Sequence, residues 1–172
     1  MGADRNVRTP PEVMEKMQPG PEHGELKKRE GKYDVAVKMW MDPKAPPQES
    51  KAKAEMKMVM NGKFLKQEYK GEMMGKPFTG IGYEGFDRVA NKYTSTWLDD
   101  FSTQAMLAHG ESKDGGKTIV FTGEFACPMT GGMVKYRNVY KQIDDDKFTF
   151  EMYQTQDGKE SKGMELTYTR KK

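Results

Sequence analysis

Polar and apolar residues alternate with a period of two along most of this chain. Tyr33, Val35, Val37, Met39 and Met41 alternate with Asp34, Ala36, Lys38, Trp40 and Asp42. The next run does the same, with Ala52, Ala54, Met56, Met58 and Met60 set against Lys51, Lys53, Glu55, Lys57 and Val59. Such alternation puts one set of side chains on each face of an extended strand. Asn61-Gly62 follows, and it predicts a two-residue hairpin turn because both central positions need positive φ. The strand from about Lys63 to Met73 then pairs back. This register brings Met58 to Leu65 and Ala54 to Tyr69, which is favourable. It also sets Lys57 against Lys66 and Lys53 against Lys70, so a bulge is expected to relieve the repulsion.

Seven further strands are predicted, at Phe78–Phe86, Lys92–Asp99, Thr103–Glu111, Lys117–Phe125, Met133–Gln142, Lys147–Thr155 and Lys162–Arg170. Between them lie turn-forming stretches such as Gly75-Lys76-Pro77, Lys113-Asp114-Gly115-Gly116 and Gln156-Asp157-Gly158. About ten consecutive strands with short links imply an all-β, antiparallel, up-and-down barrel, because closure removes both sheet edges. About ten strands enclose more space than the ~8 whose interior side chains alone can fill, so a cavity is expected. Closing first strand to last brings Arg170 over the ring of Tyr33. Before the strands, residues 1–22 read as a flexible polar tail punctuated by Pro10-Pro11 and Pro19-Gly20-Pro21, with a helical turn at Pro11–Met17. A short helix is expected over His23–Glu30, and residues 23–172 form the barrel domain.

Parity assigns the interior. Met164, Leu166, Tyr168 and Arg170 share the inner side with Tyr136, Tyr140, Phe148, Phe150, Met152, Ile119, Phe121, Phe125, Met106 and Ala108. Arg137 and Glu151 share the outer face as an expected ion pair, and His109 points outward with Leu107.

Composition changes this picture in one respect. Leu, Ile, Val and Phe make up 25 of 172 residues, a level that would suggest disorder if net charge were high. Net charge is only +3, from 29 basic and 26 acidic residues, and 15 Met with 8 Tyr and 2 Trp supply the apolar volume. The methionines therefore read as an adaptable lining of the interior. Acidic and basic residues interleave, which argues against a nucleic-acid stripe. No apolar run approaches the ~18 residues of a membrane span. The first 24 residues hold no apolar signal-peptide core, which favours the cytoplasm. One Cys excludes an internal disulfide, and two His make a histidine-built metal site improbable.

The candidate chemistry is sparse. Trp97 and Asp99 share a strand face, giving either an aromatic wall with a buried acceptor or a core Trp beside a rim Asp. Tyr136, Tyr140 and Tyr153 offer hydroxyls or simply pack. Thioethers at Met39/Met41 and Met56/Met58/Met60 suit Cu(I), but gap-filling is the commoner use of Met. Cys127 has no His near it in sequence and shows no sign of a depressed pKa. Asp144-Asp145-Asp146 lacks the spacing of a calcium loop. The glycines Gly80, Gly82 and Gly85 precede no helix, so close packing suits them better than a phosphate cradle.

Several runs carry a family resemblance: Met39-Trp40-Met41-Asp42-Pro43, Asn61-Gly62-Lys63-Phe64-Leu65, Tyr93-Thr94-Ser95-Thr96-Trp97-Leu98-Asp99, Pro128-Met129-Thr130-Gly131, and Phe150-Glu151-Met152-Tyr153 with Asp157-Gly158-Lys159-Glu160. From about His23 to Arg170 the chain resembles the bacterial domain-of-unknown-function family 1579. That family is similar to the calycin barrels: lipocalins, fatty-acid-binding proteins and nitrobindin-like haem proteins. Their Gly-x-Trp on the first strand, covered by an Arg of the last, corresponds here to Gly31-Lys32-Tyr33 and Arg170, with Tyr in place of Trp. The nitrobindin comparison raises His109 as a haem ligand, against its outward parity, and His23 as a residue of the cavity mouth.

The expectation is a non-catalytic, lipocalin-like barrel that binds a small, largely apolar or amphipathic ligand, with no cofactor, no metal and no nucleic acid. The residues expected to line the site are Tyr33, Val37, Met39, Met56, Met58, Trp97, Asp99, Phe121, Tyr136, Phe150, Leu166 and Arg170, with Arg170 alternatively structural. The rival readings are an enzyme using Asp99 with tyrosines, a Cu(I)- or haem-binding barrel, and a solid-packed structural barrel. A homodimer is left open.

Overall fold

The structure is a computed structural model that describes residues 9–172. Two short helices, α1 (Pro11–Lys16) and α2 (Pro21–Lys27), precede ten strands. These are β1 (Gly31–Met39), β2 (Gln48–Val59), β3 (Phe64–Met73), β4 (Lys76–Asp87), β5 (Lys92–Asp99), β6 (Met106–Glu111), β7 (Thr118–Ala126), β8 (Met133–Gln142), β9 (Lys147–Gln156) and β10 (Lys159–Arg170). Each strand pairs antiparallel with its sequence neighbours, and β1 pairs with β10 to close the barrel. Among the described residues no helix is long and apolar enough to cross a membrane.

The hairpin register follows the sequence pattern. Met58 lies opposite Leu65, Ala54 opposite Tyr69, and the two lysine pairs also face each other. The turn differs, because β2 stops at Val59 and residues 60–63 form the loop. Met60, Asn61 and Gly62 all take positive φ there. No bulge interrupts this ladder. Neighbouring carboxylates offset the lysine charges instead: Lys66 meets Glu68 at 2.6 Å, and Lys53 lies beside Asp34 of β1.

The register shift falls in β10, between Lys162 and Met164. Lys162 is opposite Tyr153 and Met164 is opposite Met152. The extra residue, Gly163, thus switches the parity, so Met164 joins the interior while Lys162 stays outside with Glu151 and Glu165 at 3.0 and 2.8 Å. The expected Arg137–Glu151 pair does not form. Arg137 holds Glu160 through two hydrogen bonds of 3.0 and 2.6 Å. Glu151 accepts from the Tyr153 hydroxyl instead, so Tyr153 belongs to the outer face.

Strand β6 begins at Met106, not at Thr103. Gln104 replaces the missing ladder: its side chain donates to the Ala126 carbonyl at 2.8 Å and accepts from the Ala126 amide at 3.0 Å. Met41 and Met60, assigned inward by parity, are 63% and 70% exposed because both lie beyond the ends of their strands.

Helix α2 closes one end of the barrel. Pro21 opens it with a preset φ, and the Gly20 amide donates to Nδ1 of His23 at 3.0 Å, satisfying a free helix-end donor. Leu26 is driven into the core at 1% exposure, where it belongs to the same cluster as Tyr33, Val35, Leu65, Tyr140, Phe148 and Tyr168. Helix α1 is held through Arg88, which donates to the carbonyls of Glu15 and Gln18.

Candidate functional site

The two ends of the barrel differ in chemistry. At the α2 end Arg170 clasps the seam between first and last strand. Its guanidinium lies 5.0 Å from the Tyr33 ring centroid, as the parity of both strands required. It donates to the carbonyls of Glu30 and Lys28 and meets Asp146 at 3.1 Å. Gly31 makes room for this: a Cβ there would lie 2.5 Å from Arg170 Nη1, and its φ of +144° is one that other residues rarely adopt. The Tyr33 hydroxyl donates to the Arg29 carbonyl at 3.0 Å. Phe148 and Tyr168 stack at 4.4 Å, and Tyr33 meets both rings edge-on.

Beneath that layer sits an ion pair that the alternation pattern did not reveal. Arg29, 6% exposed, donates to both oxygens of Glu84 at 2.6 and 2.9 Å. Its guanidinium also lies 4.1 Å from the Tyr140 ring centroid. Burial alone would weaken the hold of Arg29 on its proton, but the Glu84 charge and hydrogen bonds more than compensate, and its pKa is raised. Arg29 Nε has no partner. A cleft of about 270 Å³ indents this plug, and its lining mixes Glu25, Lys28, Asp144, Asp145, Lys147 and Arg170 with Tyr33, Tyr140 and Phe148. Burial pushes the Tyr69 phenol up to about 12 and raises that of Tyr168 as well.

The opposite end is more open. There Met73, Trp97, Met106, Phe125, Phe150, Met152 and Met164 pack against the core while only partly buried. Beside them a cleft of about 410 Å³ is lined by Met39, Met41, Gln48, Glu49, Ser50, Glu72, Met74 and Gly75.

Glycines shape the inner wall. A Cβ on Gly80 would sit 2.1 Å from Trp97 Cζ2, and one on Gly82 would sit 3.1 Å from Cε3, so the indole lies flat on β4. Gly110 gives the same room to Phe121, and Gly123 to Tyr136. Each bulky ring thus rests on the backbone of the preceding strand.

The expected lining residues divide along the barrel axis. Tyr33, Met56 and Phe121 are sealed into the core. Val37, Leu166 and Tyr136 are buried at mid-depth or toward the open end, and Tyr136 spends its hydroxyl on the Leu107 carbonyl at 2.9 Å. Met39, Met58, Trp97 and Phe150 are partly buried on the inner face, and Arg170 belongs to the clasp. Asp99 sits at the rim, where it accepts from Trp97 Nε1 at 2.9 Å and from the amides of Phe101 and Ser102. Those bonds occupy both of its oxygens.

The histidines lie away from the open end. His109 is exposed on the outer side of β6, and His23 belongs to the α2 plug, where burial lowers its pKa. Among the described residues no three His, Cys, Asp or Glu are grouped to hold a metal ion. Cys127 departs from expectation. A hydrogen bond from Thr130 and the backbone amides of Thr130 and Met129 lower its pKa, because the turn after β7 folds back over the sulfur.

Asn138 is a further inner-facing polar side chain that sequence reasoning passed over. It lies on β8 between Tyr136 and Tyr140, opposite Phe121 and Met152. It is 9% exposed, and its Oδ1 has no hydrogen-bond partner.

Residues 18–170 match the family described as "Protein of unknown function (DUF1579)". The chain belongs to this family. The crystal structure of Rv2717c from M. tuberculosis is similar to this DUF1579 barrel, with a TM-score of 0.56 and 15% identity. The similarity covers 90% of this chain and 100% of that one. At that identity the likeness concerns the fold alone. No curated protein matches the chain.

Proposed function

We propose that this DUF1579 protein binds a small, largely apolar molecule inside the barrel, entering at the end away from α2, and performs no chemistry on it. The observation that supports this is the asymmetry of the inner face. Aromatic and Met side chains are mostly buried at the α2 end, where Met58 and Phe86 are half-buried, while more of them are half-buried at the other end, around Trp97, Phe150 and Met164. A concave apolar surface with few polar groups is the usual form of a small-molecule site. Four of its open-end residues are methionines, whose side chains adapt to ligand shape at small cost. The enzyme alternative is weakened by Asp99, whose oxygens are engaged by Trp97 and the following turn.

Native mass spectrometry of freshly purified protein tests the proposal. A species heavier by one small molecule, lost on organic extraction, is the expected result. The stripped protein, carrying Trp40→Phe so that Trp97 is the sole indole, should change its emission with saturating octane. Bare protein mass together with no response to octane, octanol or octanoate would overturn the reading.

A further inference from the structure

Asn138 carries the inference. It lies on the inner face of β8 between Tyr136 and Tyr140, with Phe121 and Met152 opposite on the neighbouring strands. A buried carbonyl oxygen without a donor costs about 1–3 kcal/mol, and the great majority of buried polar atoms in folded proteins have a partner. Leucine has the same branched outline and carries no such cost. The oxygen is an acceptor, so what satisfies it must bring an O–H or N–H.

The charged groups nearby narrow the class further. A buried carboxylate headgroup needs a free cation. Arg29 has its charge matched by Glu84, with only Nε left unpartnered, and Arg170 is taken up by three backbone carbonyls and Asp146. A cationic headgroup would need a free carboxylate, and Glu84 is committed to Arg29.

Resting on the binding reading above, we infer that the ligand is uncharged at its buried end and donates a hydrogen bond, from a hydroxyl or an amide N–H, to Oδ1 of Asn138. The molecule is thus an alcohol- or amide-like amphiphile, held with its apolar body along the Met and aromatic wall and its donor at mid-depth. Fatty-acid anions are poor ligands of this barrel.

The test compares octane, 1-octanol and octanoate on the Trp40→Phe protein, read by Trp97 emission, with and without Asn138→Leu. In the parent, octanol should bind at least 10-fold tighter than octanoate. Asn138→Leu should weaken octanol about 5- to 30-fold and leave octane unchanged or tighter. Its melting temperature without ligand should be equal or higher. Octanoate binding as tightly as octanol would overturn the inference in the parent protein alone, whatever the variant does. So would octanol affinity that ignores Asn138→Leu. A loss of stability in Asn138→Leu would overturn it too, because the amide would then be serving the fold through a trapped water. If octane binds and only the octanol comparison fails, the binding reading stands and the Asn138 assignment falls. If no probe binds, both fall.

Discussion

Removing one member of the Arg29–Glu84 pair should be among the most damaging single changes in this barrel. The pair is bidentate and nearly dry, with side-chain exposures of 7% and 15%. Glu84→Gln keeps the shape but leaves a guanidinium without its countercharge beneath Tyr140. Breaking a buried pair in this way costs about 3–5 kcal/mol, mostly as the desolvation of the orphaned charge. Arg29→Met leaves the carboxylate unpaired and also forfeits the contact with the Tyr140 ring, worth up to about 2 kcal/mol when desolvated. The double variant Arg29→Met/Glu84→Gln removes both charges. It should be more stable than either single variant, with a coupling of about 2 kcal/mol or more. Urea denaturation of the four proteins measures the cycle, with equal slopes required for the comparison. Additive single effects, or a Glu84→Gln cost below about 1 kcal/mol, would refute the claim that the pair is sealed from water.

Two further outcomes follow from the geometry. Burial lowers the pKa of His23, so the unfolded chain binds a proton first as pH falls. Stability should therefore drop on acidification below about 6.5, the ordinary His value, down to the lowered folded one; thermal melts from pH 7.5 to 5 should show a shallower slope in His23→Asn. Gly80→Ala forces the Trp97 ring off β4, since the new carbon would sit 2.1 Å from Cζ2. It should cost about 1–3 kcal/mol and shift Trp97 emission in the Trp40→Phe background, and an unchanged spectrum would contradict the flat placement of the indole.

Much of the architecture was legible because period-two alternation and turn chemistry act locally. The boundaries of β5 and β8 and the Met58–Leu65 register come from side-chain parity and from the few residues that tolerate positive φ. Parity failed where strands end or slip. Met41 and Met60 keep the pattern past the last ladder bond, and Gly163 resets it within β10 without any local mark beyond being glycine. The Arg29–Glu84 pair was illegible for a different reason. Glu84 follows two glycines on an inward parity normally given to apolar residues, and its partner lies 55 residues earlier, just past α2. Only closure of the barrel brings them together. Asn138 had no mark at all, since a single Asn amid tyrosines reads as an ordinary interruption.

The seam between β1 and β10 bears on how the chain finds this shape. Nine of the ten ladders join strands adjacent in sequence, so each forms as a hairpin with a short loop to close. The tenth joins the two ends, and the Arg170–Glu30 contact spans 140 residues. Loop-closure entropy grows only slowly with length, so this ring closure is affordable, but no local hairpin can make it early. The seam should therefore form last and open first. Cutting the chain in a far loop and joining its present ends would make this seam a local hairpin and hand the late closure to the strands that flank the cut, while the finished barrel stays the same.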